Sequence, residues 1–171
     1  MKVSLIVAMD LERGIGRNND LMWHLPADMK FFRETTTNHV VVTGRKNYDS
    51  IPVKFRPLPN RENVVLTRNL DYKTEGCLVF NSLETCLAHY KNEKEKTVFI
   101  IGGGEIYRNA LELNCIDEMY ISHVNKRYGA DTFFPEFNLK DWKIESILSH
   151  EKDEKNEASF TVIKYSRIST L

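Results

Sequence analysis

Hydrophobic positions along this chain come in short blocks separated by turn residues. Residues 2–9, KVSLIVAM, are apolar almost throughout and stop at Asp10, which predicts a strand buried on both faces. A long loop follows through Gly14, Gly16 and Asn18-Asn19-Asp20. Pro26 suits the first position of a helix, which should run to about Thr36. Residues 39–43, HVVVT, predict a second buried strand ended by Gly44, and residues 45–51 a short helix stopped by Pro52. Three prolines between positions 52 and 60 make that segment a loop or turn. Strands are then predicted at 63–67 and 76–80, a helix from Ser82 to about Tyr90, and a solvated charged connection at 91–96. The block 97–101, TVFII, is a further buried strand running into Gly102-Gly103-Gly104 and a helix over 105–111. Strands at 116–124, 142–149 and 158–166 complete the pattern, and the charged EKDEKNE before the last one reads as a hairpin loop. Early strands alternate with helices and late ones do not. The expected fold is therefore α/β, a single domain with a mostly parallel central sheet, antiparallel C-terminal strands and flanking helices.

Composition narrows the partners. The chain has 171 residues, 42% hydrophobic and 11% aromatic, enough for one domain spanning 1–171 and short for two. Lys plus Arg and Asp plus Glu number 24 each. Such a balance offers no broad basic surface for nucleic acid or an acidic membrane. No apolar run is long enough to span a bilayer, and no small-x-small cleavage site follows the first apolar run, so a signal peptide is not expected. Cys77, Cys86 and Cys115 lie far apart without a C-x-x-C, and read as small buried hydrophobes in a reducing, cytoplasmic compartment. The five histidines lack metal-ligand spacing, so no metal is expected.

Two features carry chemistry. The first is Gly102–Gly104 between a buried strand and a helix, where glycines let the backbone approach a ligand and free helix N–H groups face an anion such as phosphate. It is not the G-x-G-x-x-G fingerprint, since Tyr107 stands at the last glycine, and no G-x-x-x-x-G-K-[ST] loop is present. Two other strand ends carry cations, Arg45 and Lys46 after Gly44, and Arg68 after residues 63–67. Each alone is an ordinary surface cation, but three cationic groups at strand carboxyl ends suit a ligand with several phosphates. The second feature is LMWHLPADMKFF, residues 21–32. Asp28 falls in the first helical turn with Phe31 and Phe32 three and four residues on. Burial should raise its pKa and the helix start should lower it. It is either an exposed first-turn acid or the floor of an aromatic slot for a flat heterocycle with paired N–H groups.

Trp23, Leu25-Pro26-Ala27-Asp28, Phe32, Gly44-Arg45, RPLPNR from Arg56 to Arg61, Ile101–Gly104 with Tyr107, and DTFFP from Asp131 to Pro135 together resemble the dihydrofolate reductase family, of the monomeric chromosomal type, over about Lys2 to Tyr165. The resemblance implies hydride transfer from NADPH to 7,8-dihydrofolate, giving tetrahydrofolate for one-carbon metabolism, and sensitivity to antifolate inhibitors. It implies that Asp28 holds the pterin 2-amino group and ring N–H and supports protonation through water, with Leu21, Trp23, Tyr107 and Ser122 completing the catalytic set. Ile6, Val7, Ala8, Met29, Ser50 and Ile101 would line the substrate site. Phe32, Ile51 and Leu58 would pack on the pterin and benzoyl rings, and Arg61 would fork onto the α-carboxylate of the tail. Gly102, Gly103 and Gly104 would cradle the pyrophosphate, with a cis Gly102–Gly103 bond. Arg45, Lys46 and Arg68 would select NADPH through its 2′-phosphate. The other cofactor positions implied are Ala8, Ile15, Gly16, Asn19, Asp20 and Leu21, then Gly44 and Asn47, then Leu66 and Thr67, then Ile101, Glu105, Ile106 and Tyr107, and finally Thr132. The loop 10–24 would act as a lid.

Some positions depart from the family pattern. Leu21-Met22 stands where many bacterial members have Met-Pro, Ser122 where threonine is usual, Arg68 where serine or threonine is usual, and residues 52–55 lengthen a loop. Two other readings remain open on sequence alone. One is a pyrimidine-type reductase of riboflavin synthesis, which gives no reason for Arg61 or for Asp28 in its LPAD context. The other is a pterin- or nucleotide-binding module without turnover.

Overall fold

The computed structural model describes residues 1–169. In chain order its elements are β1 Lys2–Met9, β2 Gly14–Gly16, α1 Pro26–Thr36, β3 Val40–Gly44, α2 Arg45–Asp49, β4 Glu62–Leu66, β5 Cys77–Phe80, α3 Leu83–His89, β6 Thr97–Gly102, α4 Gly104–Glu112, β7 Glu118–Val124, β8 Thr132–Phe133, β9 Trp142–His150 and β10 Phe160–Arg167. Eight strands form one sheet in the order β5-β4-β3-β6-β1-β7-β10-β9. Pairings from β5 to β7 are parallel, and those of β10 with β7 and β9 are antiparallel. The fold class read from the alternation of blocks is therefore the observed one.

The two faces of the sheet are filled unequally. Val3, Leu5, Val7 and Met9 of β1 join Val40, Val42, Val64, Val98 and Ile100 in the main core, with Leu83 and Cys86 of α3 and Tyr107 and Ala110 of α4. Period-two alternation sends Ile6, Val41 and Phe99 to the other face, where Phe31 and Phe32 of α1 pack against them. That second layer is thin and leaves room at the carboxyl ends of the parallel strands.

Register on this face is pinned by a polar group. Ser4 lies opposite Glu118 and Ala8 opposite Ser122 along β1 and β7. The Ser4 hydroxyl donates to Glu118 Oε1 at 2.8 Å, and Lys2 and Lys164 reach Glu118 Oε2 at 3.1 and 3.4 Å. A one-residue slip would break all three contacts and turn Ser122 away from α1. Burial alone would raise the pKa of Glu118, but Ser4, Lys2 and Lys164 outweigh it and hold the carboxyl below its ordinary value. A depressed folded pKa stabilises above the unfolded value and the gain is lost as pH falls through the folded one. Glu118→Gln should therefore lower Tm at neutral pH and flatten the acid loss of Tm below about pH 4.5. Parallel Tm–pH curves for variant and parent would refute the assignment.

Several local expectations need correction. The loop after β1 is not free of structure: β2 pairs with β8 as a two-stranded ribbon, and Arg17 bridges Asp20. Glycine and polar residues hid these short pairings. The 52–60 segment contains a 3₁₀ turn at Val53–Phe55 and a cis Arg56–Pro57 bond. The strands expected at 116–124 and 158–166 begin at Glu118 and Phe160. All three cysteines are free, but only Cys86 is buried, with Cys77 and Cys115 half-buried. The EKDEKNE segment is the hairpin loop expected between β9 and β10, and within it Asn156 is 4% exposed.

Candidate active site

Open α/β sheets bind ligands beyond the carboxyl ends of their strands, where strand order reverses. Here β1 pairs with β6 only as far as Leu5 and Ile100. Beyond that point the strands part, and the Ile6 carbonyl accepts a hydrogen bond from the Tyr107 hydroxyl at 2.8 Å. The crevice opens into one cleft of about 1480 Å³, more than a single drug-sized ligand needs. Every sequence-derived site residue lines it, Ile6, Val7, Ala8, Asp28 and Thr132 among them.

Asp28 forms part of the floor of that cleft. Pro26 occupies the start of α1, as expected, and Asp28 lies in its first turn. The Ser122 hydroxyl donates to Asp28 Oδ1 at 2.5 Å. Burial raises the pKa of Asp28, and the Ser122 hydrogen bond only partly offsets it. The exposed-acid reading is thereby excluded. A carboxylate held this way has lost hydration and gains from a ligand that offers it N–H donors. Met29, Phe31, Phe32, Ser50, Ile51, Leu58 and Ile101 supply the surrounding walls.

The glycine turn lines the same cleft. Gly102 has φ +125° and the Gly102–Gly103 bond is cis. A Cβ at Gly102 would press on the Tyr107 hydroxyl and the Asn47 amide at 3.3 and 3.4 Å, and the φ itself disfavours any side chain. At Gly103 a Cβ would meet nothing within 4 Å, so the backbone there faces open cleft. Thr43 Oγ1 donates to the Gly102 carbonyl at 3.0 Å and accepts from Asn47 Nδ2 at 2.8 Å. These bonds tie β3 and α2 to the turn. The N-terminus of α4 follows directly, with Glu105 and Ile106 on the cleft. Such a donor-rich cradle fits the pyrophosphate of a dinucleotide.

The strand-end cations converge as expected, because β4, β3 and β6 are neighbours. Arg45, Lys46 and Arg68 line the cleft together with Gly44, Leu66 and Thr67. Two of these cations are already engaged. Arg45 Nε lies 3.6 Å from Asp49 and its guanidinium sits 5.7 Å from the Tyr72 ring centroid. Arg68 Nη2 pairs with Glu105 Oε1 at 3.0 Å, with both side chains largely exposed. An exposed pair of this kind holds little energy and gives way to a phosphate. Combined Arg45→Ala and Arg68→Ala should reduce the preference for NADPH over NADH about tenfold or more, as expected for lost charge-assisted hydrogen bonds to phosphate. An unaltered ratio of kcat/KM values would place 2′-phosphate recognition elsewhere.

At the far end of α1 lies Arg61. Its Nη1 donates to Thr36 Oγ1 at 3.2 Å, its Nε to the Pro59 carbonyl at 2.9 Å, and its guanidinium lies 6.0 Å from the Phe32 ring centroid. Burial and nearby Arg33 lower its pKa, but an arginine starts so high that it stays charged. Thr36 went unnoticed in the sequence although 28, 32 and 36 repeat at helical spacing, which puts them on one face.

Residues 10–24 cross the cleft mouth. The Asp10 carboxylate accepts from Glu12 N, Gly14 N and Tyr128 N at 2.8, 2.7 and 3.1 Å. The β2–β8 ribbon and a hydrogen bond from Asn18 N to Asp131 Oδ2 at 2.9 Å hold the next stretch. Ile15, Gly16, Asn19, Asp20, Leu21 and Trp23 line the cleft from this side, and Trp23 packs on Tyr128 at 5.2 Å. Leu21 is 63% exposed. The segment is thus tethered along residues 10–20, with Leu21 exposed at the cleft. Pro52, Phe55, Pro59, Asn69 and Asn81 also line the cleft. Sequence reasoning missed them, because they sit in loops without periodicity. Among the described residues no group of three or more His, Cys, Asp or Glu could hold a metal.

The chain is similar to known proteins along nearly its whole length. The family model described as Dihydrofolate reductase matches residues 2–167. The dihydrofolate reductase of Staphylococcus haemolyticus is 39% identical over 168 residues, covering 98% of this chain and 97% of that one. That of Bacillus subtilis is 38% identical, covering 96% and 94%. A solved dihydrofolate reductase from Enterococcus faecalis, complexed with NADP(H) and RAB-propyl, superposes with TM-score 0.89 at 35% identity, covering 98% of this chain and 97% of that chain. With the family model matched over residues 2–167 and relatives 38–39% identical along nearly the whole chain, and with a buried carboxylate and a glycine turn lining one cleft, this chain belongs to the dihydrofolate reductase family.

Proposed function

We propose that the chain, an NADPH-dependent dihydrofolate reductase, works through Asp28 as its substrate anchor. One observation carries this reading: a carboxylate raised in pKa by burial and a Gly102–Gly104 cradle line the same cleft. NADPH, when bound, supplies the hydride that converts 7,8-dihydrofolate to tetrahydrofolate. The chain's own residues bind, orient and dry the two rings. Asp28 accepts the paired N–H groups of the pterin, and Ser122 fixes the carboxylate from behind. Asp28 also favours protonation of the ring, through water, because its partner edge is not the one that is reduced. Ile6, Val7, Ala8, Ile101 and Tyr107 line the zone where the rings meet. Phe32, Ile51 and Leu58 pack on the benzoyl group and Arg61 takes the tail carboxylate. Gly102–Gly104, Asn47 and Thr132 hold the pyrophosphate side, while Arg45, Lys46 and Arg68 read the 2′-phosphate. Leu21 and Trp23 cover the rings from the lid.

Loss of absorbance in the NADPH band on adding dihydrofolate tests turnover directly. Binding of both compounds without that loss would favour a binding module, and turnover only of a ribosylated pyrimidine would favour the riboflavin-pathway type. A 2,4-diaminopyrimidine antifolate should bind tightly by offering Asp28 the same N–H pair. The chain is further proposed to act as a single-domain cytoplasmic monomer. The continuous sheet supports the single domain, and no described helix is long and apolar enough to cross a membrane.

A further inference from the structure

Helix α1 begins without a capping side chain: Leu25 holds the N-cap position and makes no side-chain hydrogen bond. The donors of its first turn can be accounted for one by one. Pro26 has no N–H. Asp28 N and Met29 N both donate to the Leu25 carbonyl at 3.0 Å. Ala27 N remains, and it donates to Asn156 Oδ1 at 3.0 Å, across 129 residues of sequence. Asn156 thus does for this helix what a Ser, Thr, Asn or Asp at the N-cap ordinarily does.

Its amide is held in that orientation. Asp153 Oδ1 accepts from Asn156 Nδ2 at 3.0 Å, from Asn156 N at 2.8 Å and from Lys155 N at 2.9 Å. The nitrogen of the amide therefore faces a carboxylate, and its oxygen faces Ala27. Asn156 is 4% exposed, beside a cluster built from Leu25, Ala158 and Phe160 with Ala27 packed on it. A buried amide satisfied on both sides by geometry of this kind specifies one position for the helix start. Asp28 is the next residue after Ala27. Phe31 and Phe32 seat the body of the helix on the sheet, while the bond to Ala27 holds its first turn, on which the hydrogen bond from Ser122 to Asp28 depends.

We propose that Asn156 is a positioning residue for the reaction: as a cap supplied from the β9–β10 loop, it sets the first turn of α1 so that Asp28 meets Ser122 and the substrate. This rests on the reading of Asp28 as substrate anchor. The cap is neutral, so it completes the helix start without bringing a second negative charge beside Asp28. Glu157 grips the same approach independently, accepting from His24 N at 2.7 Å. Removing the Asn156 amide therefore leaves the chain's entry to the helix anchored and tests the cap alone.

The test uses the full chain with dihydrofolate and NADPH. Asn156→Ala should lower kcat/KM for dihydrofolate about tenfold, the scale set by a small misplacement of a positioned group, while KM for NADPH stays within about twofold. Hydrogen exchange at the Ala27 amide should accelerate at least about tenfold, with core amides such as that of Leu5 unchanged. The paired variant Asp153→Asn with Asn156→Asp exchanges carboxylate and amide and keeps an acceptor for Ala27. It should recover at least about threefold of the lost kcat/KM, with the pH profile moved upward because the new carboxylate raises the pKa of Asp28. Should Asn156→Ala not accumulate as folded protein, Asn156→Leu, matched in shape to the apolar surroundings, gives the same readings. An unchanged kcat/KM for dihydrofolate overturns the proposal. So does a parallel decline of the dihydrofolate and NADPH parameters, or a paired variant that recovers nothing, since either marks a purely structural role. If Asp28→Asn itself leaves turnover untouched, it is the anchor reading that fails.

Discussion

Asp28→Asn is expected to lower turnover about 10²–10⁴-fold at neutral pH, the usual scale for a lost acid–base group, and to raise the melting temperature at the same time. The two effects share one cause. Burial lifts the folded-state pKa of Asp28 above its ordinary value of 3.8. The folded chain therefore holds the proton more tightly than the unfolded chain does. Its stability carries no cost from this group below the unfolded value, and the cost sets in as pH rises through the raised folded value. Once pH has passed that raised value the cost is complete. Asparagine keeps an oxygen that can accept from Ser122 and carries no charge to desolvate. The difference in melting temperature between variant and parent should grow with pH across that window and then level off. Turnover by NADPH absorbance and calorimetry over a pH series measure both. A rate equal to the parent's removes Asp28 from the mechanism, and a lower melting temperature at neutral pH means the site is not strained. A gain in stability at the expense of function is what a site preorganised for a ligand gives.

Arg61→Ala is expected to raise KM for dihydrofolate about 100-fold with kcat within a few-fold of the parent. Hydrogen bonds to a charged partner contribute about 1.5–3 kcal/mol each, and about 1.4 kcal/mol is tenfold in affinity. The guanidinium is set in advance by Thr36 Oγ1 at 3.2 Å and the Pro59 carbonyl at 2.9 Å, so little side-chain entropy remains to be lost on binding. The tail it receives lies far from the reacting ring. Its contribution should be equal in ground and transition states, which raises KM and spares kcat. The control is Thr36→Val, which keeps the arginine but removes one support and should raise KM by a smaller factor. Equal KM in Arg61→Ala and parent would show that the tail lies elsewhere, and an equal decline of kcat would show that the arginine touches the chemistry.

The substitutions that set this chain apart act on geometry more than on chemistry. Ser122 in place of threonine keeps the hydroxyl, which donates to Asp28 Oδ1 at 2.5 Å. Residues Val53–Phe55 fold as a 3₁₀ turn in which Val53 and Phe55 are 74% and 55% exposed. Phe55 lines the cleft. Arg68 faces Glu105 rather than solvent alone, and its reach to a phosphate is conditioned by that carboxylate.

The chain's own pattern determined the α/β order of elements, the buried strands VVVT and VFII, the proline start of α1 and the glycine turn, because each is written in local hydrophobic periodicity and backbone chemistry. It also placed cations at two strand ends, though only the adjacency of β4, β3 and β6 made them neighbours. It left open whether Asp28 was exposed, since burial of a carboxylate depends on which strand comes to lie beneath the helix. Tertiary structure decided that Ser122, 94 residues away, meets Asp28, and that Thr36 supports Arg61. It likewise decided that a residue in the most charged loop of the chain closes the first turn of α1. Local sequence specifies what a segment tends to become. The partner of a lone buried donor is chosen only when distant strands settle into register and bring one acceptor within reach.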